Sequence, residues 1–243
     1  IQSPVWGIFD PPVALAQLSA YLKNKGINVK CFDFNIDLYN HRIDEYKTIW
    51  ANEQTNFWCN KNNVINFFKV YEIYIQNYIN EILKFNPKIV GFSVNIASLY
   101  SSLLFAKMLK ERKSEIKIIF GGPLFCVPSD IESILNEGIV DIIVLGEGEE
   151  TFAELSFFLE NNIDLNRCKG ICFKEDNKII KTENRPLLKD LDELPFLDFS
   201  DLPLNNYDPP GHLGKHISLM TSRGCIWNCV FCGPRAYWQG YRT

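Results

Sequence analysis

The feature that most restricts the fold is a repeated alternation through the middle of the chain, in which a short β-branched run is followed by an amphipathic stretch with helical spacing. Three such units follow one another: residues 88–95 then 98–113, 116–122 then 129–137, and 141–145 then 151–160. A strand that returns parallel to its predecessor needs a crossover, and a helix of this length supplies one. An earlier unit has the same form. Pro11 and Pro12 lead into residues 13–25, where Leu15, Leu18 and Leu22 share a face and Gly26 supplies a stop, and residues 27–34 read as a strand. The pattern predicts an α/β fold, a doubly wound flavodoxin- or Rossmann-like parallel sheet over residues 1–165. Thr151 and Glu154 fit a capping box at the last helix.

Residues 40–86 form an insertion dense in aromatics, among them Tyr46, Trp50, Trp58, Phe67 and Tyr71. Aromatics at helical spacing are expected to pack as core on the sheet rather than to cap a cofactor. Residues 166–214 then read as a β-hairpin turning at Asp176-Asn177, followed by a linker rich in Asp and Pro that includes Leu191-Asp-Glu-Leu-Pro195 and Asp208-Pro-Pro-Gly211. Residues 215–243 start a second domain, with 217–221 as its first strand.

Open sheets of this kind bind ligands beyond the carboxyl ends of their strands. The loops there are Ser93-Val-Asn95-Ile-Ala-Ser98, Gly121-Gly122-Pro123 and Gly146-Glu147-Gly148-Glu149. Glycines let backbone approach a ligand, and helix starts beside them offer N–H groups. The net charge of -4, without a Lys/Arg cluster, argues against nucleic acid as the main partner. No apolar run approaches a membrane span and the first residues lack a signal-peptide pattern, so a cytoplasmic, reducing location is expected. The eight cysteines then count as thiols, with Cys31, Cys59, Cys126, Cys168 and Cys172 read as packing residues.

Three thiols remain, in Cys225-Ile-Trp-Asn-Cys229-Val-Phe-Cys232. Thiolates suit zinc or iron–sulfur clusters, and a zinc site normally closes with four ligands. The run has no nearby fourth cysteine, whereas a cubane cluster held by three leaves one iron open to a small molecule. A zinc knuckle completed by His212 or His216 is the rival, and clustered packing thiols the plain alternative.

Cys225-x3-Cys229-x2-Cys232, with Phe231 before the third cysteine, resembles the signature of the radical S-adenosylmethionine (SAM) enzymes. The resemblance implies that these cysteines hold a 4Fe-4S cluster and that the open iron binds the amino and carboxylate groups of SAM. Reductive cleavage would give a 5′-deoxyadenosyl radical, with Phe231 shielding the cluster near the adenine. A doubly wound domain ahead of this motif, with its glycine loops, Val90-Gly-Phe-Ser93, Pro11-Pro12 and the 191–195 turn, is similar to the cobalamin-binding branch of that family. That implies a corrin held by Ser93, Asn95, Gly121, Gly122, Gly146, Glu147, Gly148 and Glu149, with cobalt carrying a methyl group. The chain departs from cobalamin proteins with an Asp-x-His-x-x-Gly motif, because His41, His212 and His216 all lie elsewhere, so no histidine ligand to cobalt is expected.

The resemblance implies methyl transfer to an unactivated carbon or phosphorus of a small-molecule or peptide substrate, with an electron donor such as flavodoxin or ferredoxin. Alternatives are cobalamin-dependent rearrangement or cyclisation without methyl transfer, and a non-catalytic cobalamin carrier or sensor with a zinc knuckle. An RNA methylthiotransferase would need a second cluster, and Cys31, Cys59 and Cys126 are scattered without a family motif. No catalytic side chain stands out. The chain opens with Ile1 and stops at Thr243, where a (β/α) radical SAM barrel should be starting, so a fragment with a truncated barrel is expected.

Overall fold

In a computed structural model of the chain, the β-branched runs at 88–95, 116–122 and 141–145 pair in succession across helices. The structure describes residues 1–126, 130–207, 214, 216–227, 229–232, 238 and 240–243, apart from the side chain of Cys126. Ser129, the turn 208–211, His212, Lys215 and Asn228, which fall in the segments and motifs named above, lie outside the described residues. The elements are α1 (Val13–Asn24), α2 (Phe34–Asn40), α3 (Thr55–Trp58), α4 (Lys61–Val70), α5 (Glu72–Lys84), β1 (Ile89–Ser93), α6 (Leu99–Arg112), β2 (Lys117–Gly121), α7 (Ile131–Asn136), β3 (Ile142–Val144), α8 (Gly148–Asn161), β4 (Ile171–Glu175) and β5 (Lys178–Lys181).

The five strands form one sheet in the order β1-β2-β3-β4-β5. β1 to β3 are parallel, with Val90 opposite Ile118 and Phe120 opposite Ile143. The opening residues extend this order. Residues 27–34, expected as a strand, make only an isolated bridge among the described residues, because Asp33 caps α2 and Phe34 already belongs to it. Gln2 bridges Asp33 in parallel, and Ser93 N donates to Ile1 O at 3.0 Å, so the first segment lies between the segment ending at Asp33 and β1. In chain order the parallel part runs second, first, third, fourth, fifth, a flavodoxin-like arrangement whose reversal point lies between residues 1–3 and β1. Crevices for ligands open at such reversals.

The hairpin assigned to the linker region instead continues this sheet, with Val144 opposite Ile171 in an antiparallel pair. Its two-residue turn places Asp176 and Asn177 at φ 47° and 62°, the double positive φ that a type I′ turn requires. The sheet is therefore mixed, a parallel doubly wound core with an antiparallel edge.

Alternation along the strands separates two faces. On one, Val90, Phe92, Ile118 and Phe120 join the aromatics of residues 40–86 in a single core, in which Trp58 and Phe67 are fully buried. Phe34 stacks on Tyr78 at 4.3 Å, and the Trp58 indole N–H donates to Ile49 O at 2.7 Å. These aromatics are core, as their spacing predicted. The other face carries Gly91, Ile119 and Gly121 and meets α8 and α1.

Two local expectations are corrected. The last helix starts at Gly148, so Thr151 lies within its first turn and its Oγ1 bonds back to Glu147 O at 3.3 Å. Glu154 pairs with Arg185 rather than reaching back to cap, and the predicted capping box does not form. Residues 217–221 make no ladder, and the pairing described in this region is the bridge Arg223↔Arg242. A strand is held by its neighbours, and none is paired to this run among the described residues.

The linker runs along α1. Asp198 accepts from Ser19 Oγ at 2.8 Å and pairs with Lys23 at 2.5 Å, while Asp198 N donates to Ala16 O at 3.1 Å. Tyr207 then donates its hydroxyl to Asp33 at 2.7 Å. No described helix is long and apolar enough to cross a membrane.

Candidate cofactor-binding site

The loops after β1, β2 and β3 converge because parallel strands end at one edge of the sheet. They open on a cavity of about 1990 Å³ that runs from the reversal point down the Gly91 face, between the sheet and helices α1 and α8. Drug-sized ligands occupy roughly 300–1,000 Å³, so this space suits a much larger cofactor. Ser93, Gly121, Gly122, Gly146, Glu147, Gly148 and Glu149 all line it.

The glycines do different work from one another. Gly122 has φ +106°, and a Cβ there would meet Val94 N and O at 2.8 Å. It is glycine because the chain crosses itself at this point, where Val94 N bonds Gly121 O at 2.7 Å and Leu124 N bonds Val94 O at 3.1 Å. A side chain on Gly122 would therefore strike this backbone rather than enter the crevice. At Gly121 a Cβ meets only Val144, its Cβ at 3.6 Å and its O at 3.9 Å, both ordinary contacts, so bareness there leaves space in the cavity. Gly91 is bare for a third reason: a Cβ would stand 2.9 Å from the Phe152 ring, which lies against the strand.

Asn95 does not face the cavity. Its Oδ1 accepts from Ser98 N at 2.8 Å and its Nδ2 donates to Val5 O at 3.2 Å, which ties the loop after β1 to the loop after the first segment. In this structure its side chain holds the two loops together. His41 bonds Asp37 O at 2.8 Å on α2, its ring tilted against Tyr74 at 5.0 Å, and it does not line the cavity.

Glu147 and Glu149 line the cavity, yet their carboxylates are engaged by arginines flanking the cysteine run. Arg223 Nη1 donates to Glu147 at 2.8 Å, Arg223 Nη2 donates to Glu149, and Arg242 Nη1 donates to Glu147 at 2.9 Å. Burial works to raise the Glu147 pKa, but hydrogen bonds from Arg242, Arg223 and Leu188 N outweigh it and hold the carboxyl below its usual range. Burial likewise works to lower the Arg223 pKa, and Glu149 and Glu147 together push it above its ordinary value.

Sequence reading missed Trp6, which lines the cavity just past the first segment and keeps its indole N–H buried without a partner among the described residues. A buried donor left unpaired is costly, which makes it a ready contact for an acceptor-rich ligand such as the amide-fringed corrin. Its place at the reversal point was the available signal. The cavity, the bare Gly121 and this unpaired donor fit the corrin group.

Of the cysteine run, Cys225 and Cys229 are exposed and Cys232 is half-buried. Trp227 N donates to Cys225 Sγ at 3.4 Å and Cys232 N to Cys229 O at 3.2 Å. Their thiol chemistry suits iron, but among the described residues no three metal-binding groups stand together. Phe231 is 89% exposed. His216 pairs with Asp10 at 2.7 Å. Cys31, Cys168 and Cys172 are buried and Cys59 half-buried, and burial pushes the Cys168 thiol up to about 11.

Residues 68–156 match the B12 binding domain family, so the chain carries a B12-binding domain of the α/β type that its sheet and loops define. The relatives place it more narrowly, as a partial match to the cobalamin-dependent radical SAM enzymes. It is 33% identical over 165 residues, 66% of its length, to an uncharacterized methyltransferase of Pyrococcus horikoshii, of which it spans 35%. It is 37% identical over 135 residues, 55% of its length, to the anaerobic magnesium-protoporphyrin IX monomethyl ester cyclase of Synechocystis sp., of which it spans 26%. In fold it matches the radical SAM methyltransferase TsrM of Kitasatospora setae, solved with cobalamin and a [4Fe-4S] cluster, at a TM-score of 0.63 and 16% identity. That match covers 100% of this chain and 43% of TsrM.

Proposed function

We propose that this chain forms the cofactor-binding part of a cobalamin-dependent radical SAM enzyme that transfers a methyl group to an unactivated carbon or phosphorus. The observation that carries the reading is that the run Cys225, Cys229 and Cys232 springs from the rim of the cavity, because Met220 and Arg223 line that cavity. A radical generated at those cysteines would thus act beside a corrin in the cavity. Cobalamin would supply the methyl carrier, and a cluster would supply the electron that cleaves SAM.

The chain's own residues have separate tasks here. Gly121 leaves the strand end open to the macrocycle, and Trp6 offers its indole N–H to an acceptor on its rim. The face between α1 and α8, with Leu18 and Phe152, takes the apolar bulk of the ligand and excludes water. Cys225, Cys229 and Cys232 would be the cluster ligands, with Phe231, exposed beside the third, free to approach them. The substrate, a small molecule or peptide, and an electron donor such as flavodoxin or ferredoxin would meet this edge in a reducing, cytoplasmic setting. Kinship with a cyclase gives the second reading, ring formation without methyl transfer.

Anaerobic reconstitution with iron, sulfide and hydroxocobalamin tests the proposal. Protein that keeps corrin absorbance and iron after desalting supports it, and loss of the iron on changing Cys225, Cys229 or Cys232 to Ala, but not Cys168, assigns the ligands. Iron loss of equal size in Cys168→Ala would reject that assignment. Zinc in a colourless protein would favour the carrier or sensor instead. Methyl-labelled SAM separates the two enzyme readings, since only methyl transfer puts the label in product.

A further inference from the structure

The arginines at the two ends of the cysteine run form one closed unit with the loop after β3. Arg223 N donates to Arg242 O at 2.8 Å and Arg242 N donates back to Arg223 O at 2.8 Å, so the run between them is pinched at its base. Gly224, at φ +84°, lets the strands of this base cross, since a Cβ there would run into the carbonyl of Gly240. Both guanidinium groups then meet the Glu147 carboxylate, and Arg223 also reaches Glu149.

Glu147 is fully used. Its Oε1 accepts from Arg223 Nη1 at 2.8 Å, and its Oε2 accepts from Arg242 Nη1 at 2.9 Å and from Leu188 N at 2.8 Å. Glu149 takes the other Arg223 nitrogen, and Arg242 also donates to Leu188 O at 2.6 Å. The four side chains are only 2% (Arg223), 5% (Glu147), 7% (Glu149) and 13% (Arg242) exposed. The Trp238 ring lies 5.3 Å from the Arg223 guanidinium. Two positive and two negative groups balance in this space.

A buried ion cluster recovers in mutual attraction roughly what its groups lose in hydration, so its net stabilisation is small. Its geometric effect is large, because forked donors accept carboxylates in few orientations. We propose that Glu147 and Glu149 are positioning residues that clasp the base of the cysteine run to the loop after β3, and that this clasp sets where the cysteines stand relative to the cavity. The inference rests on the proposed function in taking the cysteines as cluster ligands; the clasp itself is independent of any cofactor. It assigns the two glutamates to the protein's own loop rather than to the corrin.

Hydrogen exchange on the chain without cofactors reads the clasp directly. In the wild type, the amides of Arg223 and Arg242 should exchange slowly. Glu147→Gln and Glu149→Gln should each speed that exchange by about a hundredfold, with the β1 to β3 amides unchanged. The double variant Arg223→Lys with Glu149→Gln should cost less than the sum of its singles, because both disrupt one contact. If Glu147→Gln does not fold, Arg242→Lys, which keeps the charge and removes the fork, should give the same acceleration. After reconstitution, Glu149→Gln should retain corrin within about twofold of wild type and lose iron more readily. Unchanged exchange at Arg223 and Arg242 in the variants would overturn the proposal, as would loss of corrin from Glu149→Gln with iron unaffected. A wild type that binds no corrin would instead reject the proposed function, while the exchange data would still decide the clasp.

Discussion

At the scale of single residues, two positions separate what the chain needs for itself from what it offers a ligand. Trp6 keeps a buried indole N–H without a partner among the described residues, so Trp6→Phe removes an uncompensated donor while keeping most of the ring. The variant should be as stable as the wild type or slightly more so in chemical denaturation, yet bind cobalamin about fivefold to tenfold more weakly. Equal affinity by equilibrium dialysis would remove Trp6 from the site. Gly121 and Gly122 make the complementary pair. A side chain at Gly121 meets only Val144 before entering the cavity, whereas one at Gly122 strikes the Val94 backbone. Gly121→Val should therefore fold with a wild-type circular dichroism spectrum and lose corrin on desalting, while Gly122→Ala should lose stability whether or not ligand is present. The reverse ranking would mean that the cavity does not open at the end of β2.

Between elements, a pH-sensitive contact joins the linker to the second segment of the sheet. Asp33 caps α2 through Oδ1, which accepts from Asn35 N at 3.0 Å and Ile36 N at 3.2 Å, and its Oδ2 accepts from Tyr207 and Gln2. Burial raises its pKa to about 6, the hydrogen bonds from Tyr207, Ile36 and Asn35 pulling only part of the way back. The folded form therefore holds its proton more tightly than the unfolded form, whose value is 3.8. Its favourable contribution is complete below about pH 4 and is lost as pH rises through about 6, a change on the order of 3 kcal/mol. Asp33→Asn should flatten this part of the stability–pH curve measured by urea denaturation at pH 4.5, 5.5 and 7. A variant with the same slope as wild type between those values would place the titration elsewhere.

Across the whole molecule, much of the architecture was legible because it is local. The strand–helix units were written in β-branched runs and helical spacing, and the turn at Asp176-Asn177 in residues that tolerate positive φ. What the chain hid depended on distant contacts. Nothing near Glu147 announces that its carboxylate meets Arg223 and Arg242, and nothing near Gly122 announces that Val94 crosses it. Even the membership of β4 in the sheet rests on Ile171 finding Val144. The resulting two-faced sheet makes a last prediction about where a ligand is felt. One face is filled by the aromatic core around Trp58 and Phe67, and the other faces the cavity beneath α1 and α8. A ligand that binds only the folded state stabilises it by about 2.7 kcal/mol at a concentration one hundred times its Kd. That stabilisation slows every amide that exchanges by global unfolding, but local openings respond only where the ligand touches. Adding hydroxocobalamin should therefore slow the locally exchanging amides of α1, the start of α8 and the loops after β2 and β3, while those of α4 and α5 on the filled face keep their rates. Equal slowing in α4 and α5, or none in α1 and α8, would show that the corrin sits somewhere other than this cavity.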